Sequence, residues 1–66
     1  MALVKVIEVI AEGNSVENAL ENALKEASGT VDNIQSIYVK DVQAKIENNA
    51  ISAYRVNAKV SFLIRK

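Results

Sequence analysis

Leu3 to Ala11 reads LVKVIEVIA, and both of its alternating sets are largely apolar: Leu3, Ile7, Val9 and Ala11 on one side, Val4, Val6 and Ile10 on the other. β-Branched residues dominate the run and Gly13-Asn14 closes it, which predicts a strand. A strand apolar on both faces is normally covered on both. After the strand the period changes. Val16, Ala19, Leu20, Ala23, Leu24 and Ala27 recur at helical spacing, opposite Glu17, Asn18, Glu21, Asn22, Lys25 and Glu26. That is one apolar stripe on an amphipathic helix. Ser15 suits the N-cap, and Asn14 with Glu17 offers a capping-box-like alternative. Glu17 also suits the positive helix N-terminus, and Gly29 is the natural stop after Ala27-Ser28. Three alanines in the stripe let the helix lie close to a sheet.

Ile34–Ile46 and Ile51–Ile64 read as two further strands around Glu47-Asn48-Asn49-Ala50. Asparagine tolerates positive φ, so a tight hairpin turn fits there. A two-residue Asn48-Asn49 loop pairs 42 with 55, 40 with 57, 38 with 59 and 36 with 61. Tyr54, Val56, Ala58, Val60, Phe62 and Ile64 alternate without a break and should face the helix. Arg55, Asn57, Lys59 and Ser61 then point away, beside Ser36, Tyr38, Lys40 and Val42. The order is β-α-β-β, an α+β domain over residues 1–66 in which a three-stranded antiparallel sheet wraps one helix. One helix covers one face, so the second apolar face of the first strand needs a neighbouring copy.

Size sharpens that need. Ordering the 66 residues costs on the order of 100 kcal/mol at roughly 1.5 kcal/mol each. Domains this small usually carry a disulfide, a structural metal or a partner subunit. Cysteine and histidine are both absent, which removes disulfides, thiolate metal sites, the usual zinc ligand and the usual neutral-pH proton shuttle. A homo-oligomer is what remains.

Net charge is zero, so no overall field draws the chain to nucleic acid or membrane. Residues 1–33 hold six acids and two bases (−4), and residues 34–66 hold two acids and six bases (+4). Packing of an acidic helix beside a basic hairpin accounts for this, and an anion-facing sheet is the other reading. No stretch is long and apolar enough to span a membrane, and the acidic polar face of the helix does not suit a membrane surface. No signal-peptide pattern opens the chain, which points to the cytoplasm.

The face away from the helix holds the candidate site. Lys40, Arg55 and Lys59 share it with Ser36, Tyr38 and Asn57, a set that suits phosphate or carboxylate. The same lysines would equally keep a solvated sheet from aggregating. Nothing points to an enzyme: there is no nucleophile–base pair, no forced pair of carboxylates and no glycine-rich phosphate loop. No acidic loop has the regular spacing of a calcium or magnesium site.

The string GNSVENALENALKEASGTVDNI followed by YVKDV resembles the dodecins. Gly13, Ser15, Ala23, Ala27, Thr30, Val31, Asn33, Ile34, Val39, Tyr54, Val60 and Phe62 fall where that family's pattern wants them, and the match covers nearly the whole chain. The resemblance implies a β-α-β-β subunit, a hollow dodecamer of tetrahedral symmetry, and storage of flavins such as FMN or riboflavin stacked near subunit two-folds. It places Ser36, Arg55 and Asp41 at ligand-contact positions; Tyr38, on the same face, offers a partial ring platform, and Lys40 and Lys59 remain the anion contacts read from the strand pattern, with no metal ligand among these residues. Flavin-binding members carry tryptophan where this chain has Ser36 and glutamine where it has Arg55. An indole supplies the stacking platform, and an amide both donates and accepts where arginine only donates. Arg55 would thus favour a more anionic ligand, FMN over riboflavin. The alternative is the same shell with a degenerate pocket for another nucleotide, a coenzyme or a metal ion. Strand alternation points Asp41 away from this face, and a bulge would be needed to bring it back.

Overall fold

The two-sided apolar run forms β1 (Leu3–Gly13), the amphipathic stripe forms α1 (Val16–Ser28), and the hairpin comprises β2 (Ile34–Glu47) and β3 (Ala50–Ile64). The structure is a computed structural model and describes residues 3–64. Arg65 and Lys66, counted above in the basic half, lie outside them, as do Met1 and Ala2. The sheet order is β1-β3-β2 with both pairings antiparallel. The longest alternating strand, β3, therefore takes the centre.

Local signals set the ends of the elements. Asn48 and Asn49 both have positive φ, 53° and 63°, the backbone of a two-residue hairpin turn whose twist matches its strands. Ser15 caps α1 and its Oγ accepts from the Asn18 N–H at 3.0 Å, while Asn18 Oδ1 accepts from the Asn14 N–H at 3.0 Å. This is a reciprocal cap, and Asn18 rather than Glu17 completes it. Gly29 follows the helix but keeps a right-handed φ of −77°. The left-handed residue is Asn33, φ 60°, whose carbonyl accepts from the Leu63 N–H at 2.9 Å and pins the start of β2.

The hairpin register departs from the simple loop expectation through three irregularities. Glu47 faces Ala50 and Ile46 faces Ile51 as a two-residue loop dictates. An extra residue on β3, Ser52, then shifts the pairing so that Val42 faces Val56 and Gln43 faces Arg55. The expected pairs 42/55 and 40/57 are therefore displaced by one, and Val42 lies on the helix side. A second bulge, at Lys40 between Val39 and Asp41, restores the register, so Tyr38 faces Lys59 and Ser36 faces Ser61 as expected. The third falls at Gln35. Each bulge adds a residue to one strand and flips the facing of the residues beyond it.

The core consists of Ala19, Ala23 and Ala27 against Val56, Ala58 and Val60. The alanines are the buried helix positions because the helix axis sits close to β1 and β3; it scarcely reaches β2. Such a core is small. The chain exposes 4764 Å², against about 4,100 Å² for a compact folded monomer of this mass. Its radius of gyration is 13.6 Å, against about 10.8 Å for a compact domain of this length. The hairpin arm projects past the end of the β1–β3 pairing at Tyr54 and leaves Ile46 and Ile51 uncovered, and Leu3, Val4, Val6 and Ile10 of β1 are exposed as well.

The approach of β1 to the helix start depends on one glycine. A Cβ at Gly13 would sit 2.5 Å from the Ala19 N and from Asn18 Oδ1. Gly13→Ala must push the strand end off the cap and is expected to destabilise the fold by about 1–3 kcal/mol. At Gly29 the nearest atom to such a carbon is 3.6 Å away, so Gly29→Ala should be near neutral. Chemical denaturation of both variants checks this; equal losses would show that the clash at Gly13 is relieved by the backbone.

Candidate ligand-binding face

The strand pairings place Glu8, Ile10 and Glu12 of β1, Arg55, Asn57, Lys59 and Ser61 of β3, and Ser36, Tyr38, Asp41 and Gln43 of β2 on the sheet face away from the helix. The bulge at Lys40 turns Asp41 onto this face, opposite Asn57. Five of the six sequence-derived residues, Ser36, Tyr38, Asp41, Arg55 and Lys59, thus share this face, and Lys40 is the unpaired bulge residue beside Asp41. Tyr38 is 66% exposed and stands opposite Lys59. Ser36 and Ser61 share a hydroxyl–hydroxyl hydrogen bond of 2.6 Å. Ser36 is exposed and is a small residue between Tyr38 and the strand end. Asn57 Oδ1, between Ile10 and Asp41, is buried without a hydrogen-bond partner among the described residues.

Arg55, Lys45 and Lys40 are already paired. Glu12 Oε2 accepts from Arg55 Nε at 3.0 Å and Nη2 at 2.6 Å, and Lys45 Nζ lies 3.6 Å from the same oxygen. Glu8 Oε2 takes Lys40 Nζ at 3.6 Å by reaching past β3. Asn22 of α1 donates to the Glu12 carbonyl at 2.8 Å and fixes where that residue sits. Among the described residues Lys59 makes no ion pair. The hydrogen bond from Arg55 chiefly holds the Glu12 carboxyl below the ordinary glutamate value; partial burial opposes it, and the charges of Lys45 and Arg55 reinforce it. The sign follows: this pairing favours the folded state above the ordinary glutamate pKa, and that contribution fades as acid protonates Glu12.

Reading the face from cations alone missed Glu8 and Glu12. Their signal was present, because both share parity with Val4, Val6 and Ile10 along β1. Within the chain, two arms of the Arg55 fork already meet the Glu12 carboxylate.

The described residues hold no group of three or more acids with metal-binding geometry, and no helix among them is long and apolar enough to cross a membrane. They enclose no pocket within one chain.

A helix cradled on one side of a three-stranded antiparallel sheet, with an open polar and aromatic face opposite, defines a small β-α-β-β subunit of the ligand-binding kind. The family model described as Dodecin matches residues 3–65, and the chain belongs to the dodecin family. Among solved structures it is similar to the tt0972 protein of Thermus thermophilus, with 22% identity, a TM-score of 0.94 and coverage of 100% of this chain and 98% of that one. Dodecin from Streptomyces davaonensis gives 23% identity and a TM-score of 0.92 over 98% and 97% of the two chains. Dodecin from Streptomyces coelicolor gives 26% identity and a TM-score of 0.91 over 98% and 94%. No curated protein matches the chain.

Proposed function

We propose that copies of this chain assemble into a closed homo-oligomer, a dodecamer, that stores a flavin (FMN or riboflavin) between subunits in the cytoplasm without catalysing a reaction. The observation that carries this reading is the uncovered face itself. Val4, Val6 and Ile10 of β1 stand more than half exposed beside the Tyr38 ring and the polar groups of Ser36, Asp41 and Asn57. A mixed apolar and polar surface of this kind suits a planar heterocycle held between two copies, its ring against apolar side chains and its polar edge against fixed donors and acceptors.

The absence of tryptophan from the chain favours a second reading, in which the same shell holds a different nucleotide or coenzyme. Titration of the assembled protein into each flavin decides between them. Saturable quenching of flavin fluorescence, at no more than one flavin per subunit, is the expected result. Unquenched fluorescence at saturating protein would select the second reading.

A further inference from the structure

We propose that Glu12 sets the charge of the molecule this face accepts, by turning Arg55 from an anion clamp into half of an acceptor–donor pair that suits an uncharged lactam or imide edge. The inference rests on the reading that the face holds a ligand and concerns which chemistry it selects. A guanidinium grips phosphate or carboxylate through a fork of parallel N–H groups. In this chain the Nε and Nη2 arms of that fork both converge on Glu12 Oε2. Lys45 closes on the same oxygen. Glu12 Oε1 takes no hydrogen bond or ion pair among the described residues. The pair therefore presents an unused carboxylate acceptor next to the guanidinium N–H groups that Glu12 leaves over.

Glu12 is held in place for this task. It is the penultimate residue of β1, its carbonyl is tied to Asn22 of the helix, and Gly13 beside it packs where no Cβ fits. A carboxylate at this point repels a phosphate, whereas a ring N–H donates to Oε1 while the neighbouring ring carbonyl accepts from Arg55. Lys45 leaves the trio with one unmatched positive charge, but an ammonium on the projecting arm is a point charge without the planar fork that grips two phosphate oxygens. Glu12 and Arg55 cancel, so the pair selects for hydrogen-bonding pattern and not for charge.

The test compares wild type with Glu12→Ala, and with Glu12→Gln should the alanine variant fail to assemble. The probes are riboflavin, FMN and inorganic phosphate. Wild type is expected to bind riboflavin at least as tightly as FMN and to give no phosphate binding by calorimetry at millimolar concentration. Removing the Glu12 charge should move the FMN-to-riboflavin preference at least about tenfold toward FMN, a shift of roughly 1.4 kcal/mol, and should create measurable phosphate binding. A tenfold wild-type preference for FMN overturns the inference, as does a preference that the Glu12 variants leave unchanged. If neither flavin binds either protein, the flavin reading fails and the phosphate arm alone decides: binding gained only on loss of Glu12 upholds the role of Glu12, and equal binding by both proteins removes it.

Discussion

Ile10→Asp is expected to break the assembly and, with it, the fold of the subunit. Ile10 is 64% exposed on the face that no other described part of the chain covers, flanked along β1 by Glu8 and Glu12 and facing Asn57 across the ladder. Covering such a side chain with a neighbouring copy is worth roughly 1.5 kcal/mol or more. The aspartate forfeits that and adds a charge whose desolvation costs several kcal/mol unless it is paired. It would stand third in a row of acids, two of which already claim the nearby cations. A loss of about 3 kcal/mol per site raises the concentration needed for assembly roughly a hundredfold, and symmetry repeats the loss in every copy. Val6, two residues from Glu8 on the same face, should act alike. Sedimentation of the two variants against wild type reads the effect directly. Unchanged particles would show that this face of β1 points to solvent in the assembly and that the helix-side stripe of the arm makes the contacts instead.

The second large effect is a gain. Ser36→Trp combined with Arg55→Gln should tighten flavin binding about a hundredfold to a thousandfold. A tryptophan at 36 adds an aromatic face worth roughly 0.5–1.5 kcal/mol in stacking beyond its burial, and covering about 100 Å² of ring contributes on the order of 2.5 kcal/mol more. Space exists for it, since Ser36 is exposed and its neighbour across the ladder is the small Ser61. A glutamine at 55 restores a side chain that both donates and accepts, and Glu12 retains Lys45 as a partner. Fluorescence quenching of riboflavin by the double variant measures the gain. Binding equal to wild type would place the ligand away from this face.

The parts of this fold that were legible in the sequence are those fixed by near neighbours. Paired asparagines announced the hairpin turn, Ser15 announced the helix start, and the unbroken alternation from Tyr54 to Ile64 gave the helix-facing side of β3. The bulges at Ser52 and Lys40 were not legible, because pairing depends on the twist of three strands and on which register buries Val56, Ala58 and Val60. Only the observed position of Asp41 shows that the bulge its placement required is present. Gly29 illustrates the same limit from the other side. Its lack of a side chain permits a left-handed backbone, yet the chain makes its left-handed turn at Asn33, where the carbonyl is also needed by Leu63.

Which hairpin residues share the face away from the helix was largely legible in the sequence, and the charge balance of that face was not. Ser36, Tyr38 and Arg55 could be grouped by parity along two strands joined by a visible turn. Glu8 and Glu12 belong to a strand far away in sequence, and only the β1–β3 pairing brings them opposite Lys59 and Arg55. A basic face read from two strands thus becomes, with the third, a nearly balanced lattice of ion pairs. Exposed pairs of this sort contribute little to stability, so their weight lies in deciding what the face can bind.

Light scattering on the purified protein at micromolar subunit concentration is the most direct test of the proposal that this small alanine-lined core depends on neighbouring copies. A uniform particle many times the subunit mass of 7.2 kDa, with the circular dichroism of a folded sheet and helix, is the predicted result. A folded 7.2 kDa species that persists on dilution would contradict it.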